Sequence, residues 1–126
     1  MSDAIDLIRR FCDAWGKGAS VDEIVDYFTE DAIYHNIPVD PAVGHDAIRG
    51  VFGMFTTGVE SFEFRILNIA ADGDTVLTER LDIFVMPNVT IELPVMGTFE
   101  LRDGKIAKWR DYFDLNQYMT QLGAAG

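Results

Sequence analysis

Only one cysteine, Cys12, and two histidines, His35 and His45, occur in the sequence. A lone cysteine excludes an intramolecular disulfide and argues against a thiolate metal site. The histidines lie in separate predicted elements, so we interpret them as loop or pocket-edge residues and expect no metal site. Cys12 lies at helical spacing from Ile8 and Trp15, which indicates a small core residue.

Basic residues and long apolar runs are also scarce. Ten Lys and Arg stand against 21 Asp and Glu, which gives a formal net charge of -11. Such a chain repels phosphate and anionic lipid, so we expect neither nucleic acid nor a membrane surface as a partner. No stretch approaches the roughly 20 apolar residues that a membrane span requires. The segment Met1 to Asp6 has no basic region before an apolar run. The prediction is a soluble, cytoplasmic protein.

Apolar material is plentiful, since 48% of the 126 residues are hydrophobic and nine are Phe. This is enough for a packed core or an apolar pocket, and disorder is excluded. The length is typical of one domain, so we expect a single domain over residues 1–126 without a separate cofactor domain.

The N-terminal half predicts three helices and a short strand. Ser20 and Glu23 have the spacing of a capping box, which begins the second helix and places Phe28 on its apolar face. A strand over residues 32–37 ends at Pro38. The first and third helices are indicated by apolar residues at intervals of three and four: Ile5, Ile8, Cys12 and Trp15, then Ile48, Val51, Phe52 and Phe55.

After Gly58 the apolar period changes to two, which predicts four strands joined by short turns. A closing helix is expected over residues 115–122. Helices followed by a mainly antiparallel sheet indicate an α+β domain in which three N-terminal helices cover one face of a curved sheet. We expect a cone-shaped fold with an apolar cavity at its open end.

Arg80 and Asp82 share one face of a predicted strand with Phe84, because side chains two apart point the same way. The opposite face is aliphatic. Exposed Arg–Asp neighbours are common, so the pattern by itself favours a solvated ion pair. A polar site beside an aromatic wall is the alternative, and periodicity does not decide between them.

Asp111 stands alone between Trp109 and Phe113 on one face of the last strand. Burying an unpaired carboxylate costs several kcal/mol, so Asp111 needs a cation or a cavity rim, and Arg80 is the natural partner. A functional carboxylate is favoured here over an ordinary strand edge.

Tyr34 and Asn36 share a strand face and could together hold a water molecule. The pattern alone favours a different interpretation, in which they cap the end of the strand before Pro38.

Several polar segments match a known family. They are Tyr34-His-Asn36, Thr78-Glu-Arg-Leu-Asp82, Leu93-Pro-Val-Met-Gly97 and Asp103-Gly-Lys-Ile-Ala-Lys-Trp-Arg-Asp-Tyr-Phe-Asp114. Over most of its length the chain resembles the limonene-1,2-epoxide hydrolases. That family has the cone-shaped α+β fold also seen in nuclear transport factor 2 and ketosteroid isomerase.

The resemblance implies an epoxide hydrolase that forms a vicinal diol in one step, without a metal, cofactor or covalent intermediate. Asp111 would be the general base, Asp82 the general acid and Arg80 the bridge between them. Tyr34 and Asn36 would hold the attacking water. The substrate would be a small apolar epoxide, and the protein would be a homodimer. The residues implied as the pocket wall are Phe55, Phe84, Leu93, Val95 and Phe113.

Two other classes of function remain open. An isomerase or cyclase of the same fold would move protons on a steroid-like or polyketide-like ligand with the same aspartates. It would have no water to position, which makes Tyr34 and Asn36 the discriminating pair. A non-catalytic binding or dimerisation module would gain nothing from burying Asp82 and Asp111.

Overall fold

The computed structural model describes residues 3–123, which form an α+β fold with a six-stranded curved sheet. This confirms the predicted fold class. The described elements are α1 (Asp3–Gly16), α2 (Val21–Val25), β1 (Phe28–Asn36), β2 (Ala42–Val43), α3 (His45–Thr56), β3 (Ser61–Asp72), β4 (Thr75–Val85), β5 (Thr90–Arg102), β6 (Lys105–Tyr112) and α4 (Leu115–Gly123).

The strands lie in the order β2-β1-β6-β5-β4-β3. All neighbours are antiparallel except β1 and β6, which run parallel. β6 therefore lies between the N-terminal strand β1 and the meander formed by β3, β4 and β5. Register shifts interrupt the β1–β6, β3–β4 and β5–β6 pairings, and such irregularities bend and twist a sheet. The bend gives the concave face on which side chains of β1, β3, β4, β5 and β6 converge.

An aromatic core fills the space between α1 and the concave face of the sheet. Phe11 of α1 meets Trp109 of β6 with ring centroids 5.1 Å apart, and Trp15 meets Phe52 of α3 at 5.2 Å. Both contacts are edge-to-face, the favoured geometry for aromatic pairs. Cys12 is buried in this layer, as predicted, and burial raises the pKa of its thiol to about 12.

The boundary between α2 and β1 differs from the prediction. The capping box is confirmed, because the Glu23 N–H donates to Ser20 Oγ at 3.1 Å and the Ser20 N–H donates to Glu23 Oε1 at 3.2 Å. The helix nevertheless ends at Val25, and Phe28 begins β1, where it pairs with Ile106 of β6. Placing Phe28 on a helix face was wrong, because long-range pairing with β6 overrides the local apolar spacing.

The two-residue strand β2 was not predicted. Ala42 and Val43 pair with Tyr34 and Ile33 of β1 and extend the sheet at that edge. Within residues 3–123, no helix is long and apolar enough to cross a membrane.

Candidate active site

The concave face of the sheet carries four buried polar residues: Thr78, Arg80 and Asp82 on β4, and Asp111 on β6. Arg80 is only 1% exposed, whereas Leu77 on the opposite, supposedly aliphatic face is 48% exposed. The prediction of a solvated Arg–Asp pair is therefore wrong. The face carrying the charges packs inward because each charge has a partner there and because aromatic rings surround the group.

Arg80 binds both aspartates through two forked contacts. Its Nε and Nη2 donate to Asp82 Oδ1 and Oδ2 at 3.0 and 2.8 Å. Its Nη1 and Nη2 donate to Asp111 Oδ1 and Oδ2 at 3.1 and 2.7 Å. Nη1 also donates to Thr78 Oγ1 at 3.1 Å. Paired contacts of this kind fix the plane of the guanidinium, and hence the positions of both carboxylates.

Three aromatic rings surround the guanidinium. The Cζ of Arg80 lies 5.3 Å from the ring centroid of Phe64, 5.7 Å from that of Trp109 and 5.9 Å from that of Phe99. Cation–π attraction at these distances offsets part of the cost of desolvating the charge.

Asp111 receives a further hydrogen bond from its own strand. Trp109 Nε1 donates to Asp111 Oδ1 at 2.6 Å, so this carboxylate accepts three hydrogen bonds in all. Donors of this kind stabilise the ionised form of a carboxylate. Asp82 accepts two, both from Arg80. The two aspartates are thus held by one cation but are not equivalent.

Burial raises the pKa of Asp82 above its ordinary value, and the negative charge of Asp111 adds to that effect, although Arg80 opposes both. Burial likewise raises the pKa of Tyr34, with a further contribution from Asp111, so Tyr34 remains a neutral phenol. The guanidinium of Arg80 is disfavoured by burial, but the two aspartates outweigh this and raise its pKa.

Parallel pairing of β1 with β6 brings Tyr34 and Asn36 to the aspartates. Asn36 lies opposite Asp111 and Tyr34 opposite Trp109, on whose indole the phenol ring stacks at 4.5 Å. The Tyr34 hydroxyl donates to Asn36 Oδ1 at 3.0 Å. That bond turns the amide so that its NH₂ group remains available to another acceptor. The two side chains are thus hydrogen-bonded to each other at the end of β1, where both line the cavity described next.

A cavity of about 140 Å³ opens beside these groups. Nine of the ten predicted site residues line it: Tyr34, Asn36, Phe55, Asp82, Phe84, Leu93, Val95, Asp111 and Phe113. The tenth, Arg80, lies behind the carboxylates, with its side chain fully buried. Its position is that of a support, outside the lining.

Sequence reasoning missed four lining residues, namely Val39, Phe64, Leu115 and Tyr118. Phe64 lies opposite Asp82 in the β3–β4 pairing, so the register of two adjacent strands could have found it. Leu115 and Tyr118 are three residues apart on α4, a spacing that puts them on one helix face. Val39 lies in the loop after Pro38, where no sequence signal marks it.

Within the described residues, no group of three or more His, Cys, Asp or Glu side chains is placed to hold a metal ion. Asp82 and Asp111 are instead committed to Arg80. Two buried carboxylates facing one apolar cavity, with different hydrogen-bond environments, are equipped for acid–base chemistry on a bound ligand.

The fold and the site together define an α+β protein of the cone-shaped class, with an Asp-Arg-Asp group at the wall of an apolar cavity. The family model of the limonene-1,2-epoxide hydrolase catalytic domain matches residues 2–123 of this chain. The chain belongs to the limonene-1,2-epoxide hydrolase family.

Individual relatives agree with this assignment. The epoxide hydrolase EphG of Mycobacterium tuberculosis is 40% identical over an alignment of 95 residues that covers 71% of this chain and 64% of that protein. The chain therefore matches slightly less than two thirds of this relative's length. The solved structure of an M. tuberculosis LEH-like epoxide hydrolase is 30% identical, with a TM-score of 0.81 over 97% of this chain and 91% of that one.

More distant structures share the fold alone. A protein described as a SnoaL-like polyketide cyclase, from Shewanella putrefaciens, superposes with a TM-score of 0.85 at 16% identity. The superposition covers 98% of each chain.

Proposed function

We propose that this protein is a cofactor-independent epoxide hydrolase that adds water to a small apolar epoxide in one step and releases a vicinal diol. One observation carries the proposal: Asp82 and Asp111 are held by the same guanidinium, and both line the same apolar cavity. The family and the relatives named as epoxide hydrolases support the reaction class.

Asp111 is the general base in this proposal. It lies opposite Asn36 in the sheet and accepts three hydrogen bonds that favour a charged carboxylate. A water molecule beside it would donate one proton to Asp111 and the other to the oxygen of Tyr34, while accepting from the amide of Asn36. That arrangement aims a lone pair of the water into the cavity, where the epoxide carbon would lie.

Asp82 is the general acid. Opening an epoxide leaves a negative oxygen, which a neighbouring protonated carboxyl can neutralise as the C–O bond breaks. The raised pKa of Asp82 suits that role, because an ordinary Asp, at about 3.9, would hold no proton near neutral pH.

One shared proton also balances the charge of the buried group. Two ionised aspartates beside one guanidinium would leave a net negative charge in an apolar setting, which is costly. A single proton on the pair makes the group neutral, with one carboxylate ready to accept a proton and one carboxyl ready to give one.

The cavity limits the substrate class. Its volume of about 140 Å³ is close to that of an engineered apolar cavity of ~150 Å³ that binds benzene. Its wall is apolar: Phe55, Phe84, Leu93, Val95 and Phe113. We therefore propose small epoxides with apolar substituents as substrates.

A panel of such epoxides, assayed for diol formation, tests the proposal directly. Wild-type protein should form diol, and Asp111→Asn and Asp82→Asn should each lose at least about 100-fold in kcat, since an amide fills neither role. Circular dichroism would check that both variants fold. Absence of diol from every epoxide, or wild-type turnover in either variant, would refute it. Isomerisation of an unsaturated ketone by the wild type would favour the isomerase alternative.

We also propose that the protein is a homodimer formed through the convex face of the sheet. Leu77, Met96 and Tyr112 are each about half exposed on that face, and Met96 pairs directly with Tyr112 across β5 and β6. Apolar side chains grouped on an otherwise charged surface are typical of an interface. Sedimentation equilibrium should give twice the chain mass, and Met96→Glu should give a monomer. A wild-type monomer at micromolar concentration would contradict this.

A further inference from the structure

Gly97 interrupts a row of large side chains on the concave face of β5. The inward positions of that strand are Ile91, Leu93, Val95, Gly97 and Phe99, all of them buried. At Gly97 the row has no side chain, although Gly97 lies directly beside the buried polar group. Its φ lies outside the left-handed region, so the backbone does not require glycine here.

The register of the sheet places Gly97 between two members of the polar group. It pairs with Thr78 on β4 and with Asp111 on β6. Its carbonyl accepts a hydrogen bond of 3.3 Å from Thr78 Oγ1. Gly97 is therefore the residue over which Arg80, rooted on β4, must reach to meet Asp111 on β6.

The space that a side chain would occupy at Gly97 is filled by the guanidinium and its partners. A Cβ atom there would lie 2.3 Å from Arg80 Nη1, 2.6 Å from Asp111 Oδ1 and 3.0 Å from Thr78 Oγ1. Real Cβ atoms essentially never approach heavy atoms below 3.0 Å, so Arg80 and Asp111 would have to move. Arg80 is fully buried and bound on several sides, and a shift of Asp111 toward the cavity would stretch its hydrogen bonds from Arg80 and Trp109.

We propose that Gly97 is a positioning residue for the reaction. Because Gly97 has no side chain, it leaves the space in which Arg80 Nη1 reaches Asp111 Oδ1. This rests on the proposed epoxide hydrolase function and adds to it a residue that touches neither substrate nor water. Even one methyl group at Gly97 displaces the cation that holds both carboxylates in register with the cavity.

The kinetic consequence is specific. Gly97→Ala should lower kcat by about 100-fold, the loss typical of a 1 Å misplacement of reacting groups. KM should stay within about threefold, because Gly97 does not line the cavity. The alkaline limb of the pH profile should move to higher pH, since Arg80 lowers the pKa of Asp82 and would do so less from a displaced position.

Two matched variants separate positioning from mere folding. Gly50→Ala makes the same substitution in α3, where an added Cβ meets nothing within 4 Å, and should leave kcat unchanged. Ile91→Ala empties a buried inward position on β5 and should lower the melting temperature without moving the pH profile. A kcat in Gly97→Ala equal to wild type would overturn the proposal. A loss of kcat in Gly97→Ala without a shift of the pH profile would also overturn the proposal. That result would indicate a general structural defect of the kind expected for Ile91→Ala.

A melting-temperature cycle tests the same contact without an activity assay. Gly97→Ala is made in the wild type and in an Arg80→Met background, at mildly acidic pH where the carboxyl groups can take up protons. If the methyl group collides with the guanidinium, the loss of melting temperature in the wild type should largely vanish in the Arg80→Met background. An equal loss in both backgrounds would overturn the proposal.

The cycle also covers the cases in which an assay gives no rate. If Gly97→Ala alone does not fold, a folded Arg80→Met/Gly97→Ala double variant supports the proposal, and an unfolded one beside a folded Arg80→Met refutes it. If the wild type hydrolyses no epoxide, the proposed function fails. The melting-temperature cycle still decides whether Gly97 leaves the space that the Arg80 guanidinium occupies.

Discussion

Trp109 Nε1 donates a 2.6 Å hydrogen bond to Oδ1 of Asp111, two residues further along the same face of β6. The indole is itself held between the rings of Tyr34 and Phe99, at 4.5 and 5.3 Å. Asp111 is therefore oriented from one side by a packed aromatic stack and from the other by Arg80. A carboxylate fixed in this way can meet a proton donor in only one direction, the direction of the cavity.

Trp109→Phe removes this donor and keeps most of the ring packing. We expect kcat to fall about tenfold, the value of one hydrogen bond to a charged group, with KM nearly unchanged. Trp15→Phe is the matched control, because Trp15 Nε1 is buried without a hydrogen-bond partner in the described structure. Equal effects of the two substitutions on kcat would mean that Trp109 contributes only packing.

Arg80→Lys should fail both as an enzyme and as a fold stabiliser. Arg80 makes five hydrogen bonds and an ammonium has three donors, so at least two bonds to charged or buried partners are lost. The free energy of unfolding should fall by at least about 3 kcal/mol in urea titrations, and kcat should fall to near background.

Arg49→Lys on α3 is the control for that variant. Arg49 pairs with Asp22 and Asp46 at the surface, where such a pair is worth less than about 1 kcal/mol. If Arg80→Lys kept wild-type stability and activity, Arg80 would be supplying charge alone.

Stability should depend on pH in the direction set by Asp82. Burial raises the pKa of Asp82 in the folded protein. The folded protein therefore binds the proton of Asp82 more tightly than the unfolded chain does. The resulting stabilisation is complete below the ordinary value of about 3.9 and is lost as pH rises through the folded-state pKa. Melting temperatures of the wild type relative to Asp82→Asn should therefore decline with rising pH. A relative gain in stability with rising pH would contradict the assignment.

Leu93 should control selectivity more than stability. Leu93→Val enlarges the cavity next to Asp82, its pairing partner on β4, and should change which enantiomer or epoxide carbon is attacked. Ile91→Val, two residues earlier on the same inward face, lies outside the cavity lining and should cost a similar ~1 kcal/mol without changing selectivity. Chiral chromatography of the diols from several epoxides measures this, and unchanged ratios in Leu93→Val would place Leu93 outside the binding site.

Local patterns predicted most of the fold. The Ser20–Glu23 capping box and the alternation after Gly58 are local signals that the structure repeats almost unchanged. Phe28 and β2 were missed for the opposite reason. Phe28 enters a strand because Ile106 pairs with it, and β2 exists because Tyr34 and Ile33 accept it at the sheet edge. Ile106 is far from Phe28 in sequence, whereas β2 lies within ten residues of its partners but is too short, at two residues, to show an alternating pattern.

In the candidate site, too, some residues could be predicted from the sequence and others could not. The position of Asp111 between aromatic residues marked it from the sequence, because an isolated charge on an apolar face needs a partner. Arg80 and Asp82 could not be distinguished from a solvated pair, since their burial depends on which face of β4 the helices cover. The sequence did not indicate that Trp109 donates a hydrogen bond to Asp111 or that Gly97 leaves space for Arg80. Both findings depend on distances between atoms of different side chains, which residue spacing along the chain does not encode.

The most direct test is the source of the new oxygen atom in a single turnover. If water held by Asp111, Tyr34 and Asn36 attacks the epoxide, excess enzyme in isotopically labelled water must give labelled diol at once, with no label in the protein. A covalent route would use a carboxylate as nucleophile and deliver an unlabelled enzyme oxygen first. Labelled diol in the first turnover is the predicted result; unlabelled diol, with label later found on Asp111, would contradict it.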